Sequence, residues 1–386
     1  MTDPTTLASE HTRRPPNLLP FGAGAALFIL LFVAGSAVGG ELGQLMAASI
    51  NALPFAVLAV LAYMGAERPN WAWLATGLWL LLMIMGVSLA AIGLGAAALL
   101  GSPLNEASAQ QLPPGDLLRV ALMMLGVVAS VIVGLLLALP PARRALARVI
   151  PIDPTSFVHA VALVAVVIIG LICSVPLIVL GSPPLLSLVD QLASDGALDS
   201  ASQLRNQVYG LVWTIPAAIL AVGFGITRNL RGALLRLGLV RPSPRQVGVA
   251  VGIALLLVGA VQLIGLGTDT IWRAMGWPVT DEEAFGELLA FAINPIGALV
   301  IGVTAGLGEE LAVRGVLQPR LGLLLSNLFF MSLHALQYHW DALLIVFVVG
   351  VVCGVVRNRS NTSTAAIVHG TYNFTLIMLA VAGIGG

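Results

Sequence analysis

Two adjacent carboxylates, Glu309 and Glu310, stand just before Arg314 in an apolar stretch; His334 lies four residues after Phe330, and Asn373 four after His369. Residues four apart on a helix share a face. Glu310 therefore faces Arg314 and reads as half of a scaffold ion pair. Glu309, turned about 100° from its neighbour, lacks that partner, and a second unpaired buried acid contributes nothing to folding. Phe330 with His334, and His369 with Asn373, are likewise same-face pairs. A carboxylate, two imidazoles and a carboxamide are the parts needed to hydrolyse an amide bond with water: a base, a proton carrier or positioner, and donors for the developing oxyanion. The same residues could hold a metal, because Glu309, His334 and His369 make a plausible zinc set. The His-Glu-x-x-His signature that puts two histidines on one helix face is absent.

The elements that must position these residues are membrane helices. The chain has 386 residues, of which 58% are apolar and 9% charged, the composition of a polytopic membrane protein. Apolar stretches of about 20 residues, enough to cross about 30 Å of hydrocarbon, recur throughout. We read eleven spans, over 20–40, 45–65, 71–99, 118–140, 157–181, 207–226, 247–268, 288–309, 322–338, 341–356 and 363–383. There is no lysine, so arginine alone reports topology. With the N-terminus inside, Arg13, Arg14, Arg68, Arg143, Arg144, Arg148, Arg228, Arg231, Arg236, Arg241, Arg245, Arg314, Arg320, Arg357 and Arg359 fall on the cytoplasmic side, leaving only Arg119, Arg205 and Arg273 outside. The apolar run after Arg13 and Arg14 has no small-residue cleavage site and reads as an uncleaved first helix.

An ionised group at mid-membrane costs roughly 2.5 to 3.5 kcal/mol and normally lines a cavity or meets a partner. At about 1.5 Å of rise per residue, Glu309 lies about 16 Å in from Arg320. His334, counted through a turn at Pro319 and Gly322, lies at about 15 to 20 Å, His369 at about 15 Å and Asn373 one turn further. Four polar groups on three spans share a level, as a single pocket requires. Gly302, Gly306 and Gly308 leave room beside Glu309 for a neighbouring helix or a substrate backbone.

We place the domain boundary near 227–246: residues 1–246 form a six-span N-terminal extension, and 247–386 carry all three motifs. Cys173 and Cys353 are isolated and form no metal-ligand spacing. Gly350 and Gly354 are a small-xxx-small pair in an otherwise plain span. His159 reads as a hydrogen-bonded interfacial histidine, and Trp71, Trp73 and Trp79 as interfacial anchors. The five arginines of loop 226–246 could touch anionic lipid but are explained as a topology signal. Nucleic-acid binding has no exposed basic domain to work with.

Three ordered motifs, Glu309-Glu310-Leu311-Ala312-Val313-Arg314, Phe330-Met331-Ser332-Leu333-His334 and His369-Gly370-Thr371-Tyr372-Asn373, with the context from Arg314 to Leu321, resemble the CAAX protease and bacteriocin-processing family of intramembrane peptidases. This family includes the type II prenyl-protein endopeptidase. The resemblance covers about residues 247–386. It implies an all-α membrane bundle and an endopeptidase open to the cytoplasm. By that analogy Glu309 activates a water together with His334, His369 and Asn373 support the oxyanion, and Glu310 with Arg314 stabilises the site beside Phe330. A metal-free reaction is preferred, with zinc as the alternative. Expected partners are membrane lipid and a peptide or lipidated protein, and the expected location is the plasma membrane of a prokaryote. Competing readings are a non-catalytic immunity or scaffold protein of the same fold, and a proton-coupled transporter. The transporter is weakened because the first six spans lack a matching acidic or histidine cluster.

Overall fold

The computed structural model describes residues 39–67, 69–101 and 113–384. The expected span over 20–40 lies outside the described residues except for its last two positions, as do Arg13, Arg14 and Arg68. The chain divides into two units, Met1–Ala47 and Ala48–Gly386. The first supplies most of one short described helix, Gly40–Ala48. Everything that follows concerns the second.

The longer helices of that unit are α1 (Leu53–Glu67), α2 (Pro69–Leu100), α3 (Pro114–Ala138), α4 (Phe157–Leu180), α5 (Ser200–Ala221), α6 (Leu230–Leu237), α7 (Pro244–Ala274), α8 (Pro295–Glu310), α9 (Gln318–Leu333), α10 (Trp340–Arg359) and α11 (Thr362–Val381). The described residues contain no strand, only an isolated bridge between Phe224 and Arg228, so the all-α expectation holds. Large apolar side chains stand bare along the outside, including Leu89 on α2 and Leu256, Leu263 and Leu266 on α7. An apolar exterior of this extent suits lipid, not water. The protein is an integral, multi-pass membrane protein.

Seven helical runs among the described residues are long and apolar enough to cross a bilayer. The 15-residue α1 is too short to be among them, and neither is α5, whose first turns carry Gln203, Arg205, Asn206 and Gln207. One of the seven, Pro295–Leu333, joins two of the expected spans, and it is folded on itself. A straight helix would put Arg314 and Phe330 about 24 Å apart, yet the Arg314 guanidinium lies 4.7 Å from the centre of the Phe330 ring. The reversal is at Gly322, whose φ of 76° and ψ of 171° are freely available only to glycine. The sequence-predicted turn at Pro319 and Gly322 is therefore present, and it falls inside α9, so the chain before Gly322 and the chain after it form two arms.

Local sequence sets where each pass begins. Asn294 accepts a hydrogen bond from the Gly297 amide at 2.8 Å ahead of Pro295 at the start of α8. Asn361 accepts from the Thr364 amide at 2.8 Å to start α11. Ser243 and Gln246 form a capping box before α7. Such caps stabilise helix starts by about 1 kcal/mol each and fix the depth of every residue downstream.

Packing then brings the motif helices together. α8 and α11 touch backbone to backbone: a methyl group added to Gly306 would stand 2.7 Å from the Gly370 Cα, and one on Gly302 would stand 2.9 Å from the Gly370 carbonyl oxygen. Small residues permit this approach, and it places Glu309 and Glu310, one turn beyond Gly306, beside His369. α11 also packs with α7 and α10 through Ala250, Ala254, Val258, Cys353, Ala365, Val368 and Tyr372. α9 leans on α4 through Leu321 and Phe329 against Leu163 and Ile169.

Candidate active site

Between α8 and α9 the chain winds as a π-helix over Leu311–Leu317, a departure from regular helix that recurs at functional sites. Arg314 sits in it. Its Nε is 3.3 Å from the Glu310 carboxylate, and both side chains are essentially closed to solvent, at 1% and 0% exposure. Nη2 donates to the Gly350 carbonyl at 2.7 Å and to the Asn327 amide oxygen at 3.3 Å, while Nη1 is buried without a hydrogen-bond partner among the described residues. The Phe330 ring covers the guanidinium face, a cation–π contact. Arg314 is thus enclosed by three helices, not placed in a cytoplasmic loop. Arg320, expected in the same loop, is only 4% exposed. Both arginines are held by acceptors inside the protein instead of lying in an open loop.

Glu310 has a second partner. Its other oxygen accepts a hydrogen bond from Nδ1 of His369 at 2.9 Å. Nε2 of the same ring faces Glu309, 3.9 Å from the nearer carboxylate oxygen. The two glutamates therefore flank one imidazole, Glu310 sealed in protein and Glu309 with 38% of its side chain open. His334 is oriented in a similar way: its Nδ1 donates to the Phe330 carbonyl at 2.9 Å. A carbonyl only accepts, so Nδ1 carries the proton, and a neutral ring leaves its Nε2 lone pair free. Phe330 stands between the two histidines, its centroid 4.7 Å from the His334 ring and 6.1 Å from the His369 ring, both edge-on. Tyr338 stacks on the far side of His334 at 5.9 Å. Asn373, one turn beyond His369, is half-buried, and its amide makes no hydrogen bond to the described residues.

Glu309, Glu310, Arg314, Phe330, His334 and His369 are thus linked by contacts drawn from three stretches of chain. Residues 291–375, which contain all of them and Asn373, match the family described as type II CAAX prenyl endopeptidase, Rce1-like. This segment is similar to the Rce1-like family, a family of CAAX-type proteases. No curated protein and no solved structure matches the chain.

α10, read from sequence as a plain span inside the Rce1-like segment, is a working wall of the site. Gly350 gives its carbonyl to Arg314, and any larger residue there would run into Asn327 and the guanidinium. Gly354 does the same for Gln318, whose amide donates to its carbonyl at 2.9 Å and to Asn358 at 2.8 Å. Arg357 donates to the Arg314 carbonyl at 3.2 Å. The sequence signal was available: Gly350, Cys353, Gly354 and Arg357 follow the three- and four-residue spacing of one helix face.

Cys353, on that face, brings the metal question to a different set of donors. Atoms of Glu310, Cys353 and His369 lie within 4.8 Å of one another, all buried. This is the convergent donor triplet among the described residues, and it is not the Glu309, His334 and His369 set read from sequence. Its chemistry suits a hydrogen-bonded scaffold better than a metal. Glu310 already accepts from His369 and faces a buried guanidinium at 3.3 Å, so a cation added there would meet a fixed positive charge in a medium of low dielectric.

Proposed function

We propose that the protein is an intramembrane endopeptidase in which Glu309 activates the hydrolytic water. What carries this reading is the division of labour around His369: one carboxylate, fully enclosed, anchors the ring, and the other, open to solvent, faces the ring's second nitrogen. Water lies between Glu309 and the free Nε2 of His334. Glu309 takes its proton as the oxygen attacks the scissile carbonyl carbon. The oxyanion is stabilised by the Asn373 amide and by His369 in its imidazolium form, neutralised by Glu310. Glu309 then returns the proton to the amide nitrogen as the carbon–nitrogen bond breaks. Glu310 and Arg314 touch no substrate; they hold the geometry.

The substrate class is a peptide or lipidated protein terminus of the CAAX type. An apolar groove of about 500 Å³ along α8 and α11, lined by Leu299, Val303, Leu307, Ile367 and Phe374, supports a substrate with a hydrocarbon attachment, since it ends two residues from Glu309. Residues 247–386 form the catalytic part. Residues 1–246 form an extension that braces it through the contact of α4 with α9.

The test is cleavage of a fluorogenic lipidated peptide, with a library of membrane-protein termini beside it, by the chain purified in detergent. Asn373→Ala should slow turnover by about 10² to 10³ fold with little change in KM, because its amide is offered to the transition state. A chelator should leave the rate unchanged. Chelator inhibition reversed by zinc would replace the metal-free reaction with a metal-assisted one, and wild-type turnover in Asn373→Ala would remove the amide from the oxyanion site.

A further inference from the structure

A second cluster of charge lies apart from the two glutamates. A pocket of about 260 Å³ opens at one end of the bundle, where α1 finishes, α4 begins and α5 passes into α6. Arg228, Arg236 and Arg320 converge on it, with Tyr63, Glu67 and His159. On the topology read from the sequence, these helix ends fall on the cytoplasmic side, toward the lipid headgroups.

Every strong group turned toward the pocket except Glu67 is a donor. Arg320 Nη2 donates to the Tyr63 phenol oxygen at 2.6 Å and Arg228 Nη1 donates to it at 3.3 Å. A guanidinium cannot accept, so the phenol accepts twice and its own proton remains to be given. His159 is fixed the same way. Its Nδ1 accepts from the Asp153 amide at 2.9 Å, which puts the proton of the neutral ring on Nε2. The arginines otherwise bond only backbone carbonyls and Thr227: Val222 for Arg228, Gly315 for Arg236, Val316 and Ala221 for Arg320. None of the three is in an ion pair with the described residues, and Glu67 is the sole acid among the described residues of the lining. Three positive charges against one acid leave a surplus of two. Arg236 shows the strain of this crowding, its pKa pushed down to about 10 by burial and by Arg320.

We infer that this pocket binds the phosphate group of an anionic ligand. A phosphomonoester carries up to two negative charges and three terminal oxygens that only accept, matching both the charge surplus and the donor count. A carboxylate offers one charge. Guanidinium forks suit phosphate geometry, and the volume admits a headgroup but not a peptide. The phosphate can come from a membrane lipid or from solution. Bound there, it would tie α1 and α4 of the N-terminal extension to Arg320 in the folded segment that carries the glutamates.

The full-length chain in uncharged detergent is titrated at constant ionic strength with dihexanoyl phosphatidic acid, inorganic phosphate or dihexanoyl phosphatidylcholine, and the thermal unfolding midpoint is read. Phosphatidic acid should raise the midpoint by about 5 °C at saturation. The combined Arg228→Gln and Arg236→Gln variant should lose the response, while Arg241→Gln with Arg245→Gln, in the same basic loop but outside the pocket, should keep it. If the pocket variant does not fold, His159→Leu takes its place and should weaken phosphatidic acid binding about tenfold. A response to phosphatidic acid alone assigns the pocket to a lipid headgroup, and an equal response to inorganic phosphate assigns it to a soluble phosphate. The inference is overturned by no response to either, by an equal response to phosphatidylcholine, or by equal losses in the pocket and loop variants.

Discussion

Glu309→Gln should lower the rate of peptide cleavage by about 10² to 10⁴ fold, the range over which a positioned general base contributes, and leave the thermal midpoint within a degree or two of wild type. The two halves of this expectation come from the same observation. Glutamine has nearly the shape of glutamate and can still hold a water, but it cannot take the proton that makes the water a nucleophile. Glu309 is 38% exposed and its carboxylate stands 3.9 Å from the His369 ring, beyond hydrogen-bond distance, so the fold does not depend on its charge. The measurement pairs initial rates on the fluorogenic lipidated peptide with an unfolding curve of the same preparation. Wild-type turnover in Glu309→Gln would take the water-activating role away from this residue. No cleavage of any substrate in the library by either protein would favour the non-catalytic scaffold.

Arg314→Met should have the opposite signature, a large loss of stability with loss of activity as its consequence. Removing one partner of a buried ion pair leaves the other charge uncompensated, at a cost of about 3 to 5 kcal/mol. Here the abandoned group is Glu310, with no exposed surface at all. The unfolding midpoint should fall by several degrees. The decisive comparison is the double variant Glu310→Leu with Arg314→Met. Replacing a buried pair by apolar residues of similar size is often neutral or stabilising, so the double variant should recover much of the midpoint. It should still cleave nothing, because the His369 Nδ1 would have lost the carboxylate that fixes its orientation. A double variant that regains both stability and turnover would show that Glu310 and Arg314 serve folding alone.

The sequence disclosed the site along the chain better than across it. Four-residue spacing identified the Glu310 and Arg314 pair and separated Glu309 from it, because both are properties of a single helix. The glycine between two apolar runs marked the reversal at Gly322. Contacts between helices were not legible, since spacing within a helix says nothing about which way a neighbour is rotated. His369 was paired on paper with Asn373, whereas its strongest bond crosses to Glu310 on another helix. α10 looked featureless because its contribution is made by backbone carbonyls, which glycines at Gly350 and Gly354 leave accessible without any polar side chain. Arg314 and Arg320 were counted as loop charges for a related reason: composition cannot tell an arginine facing solvent from one enclosed by neighbouring helices.

The imidazole that Glu310 anchors comes from α11, whereas Glu310, Arg314 and Phe330 come together within the folded segment that precedes it. During synthesis the charged pair can form as soon as that hairpin has entered the bilayer. The ring between the two acids arrives only when α11 emerges from the ribosome. A nascent chain stalled before that point would hold the charged pair without the ring, so the order of residues itself delays completion of this cluster until α11 is made.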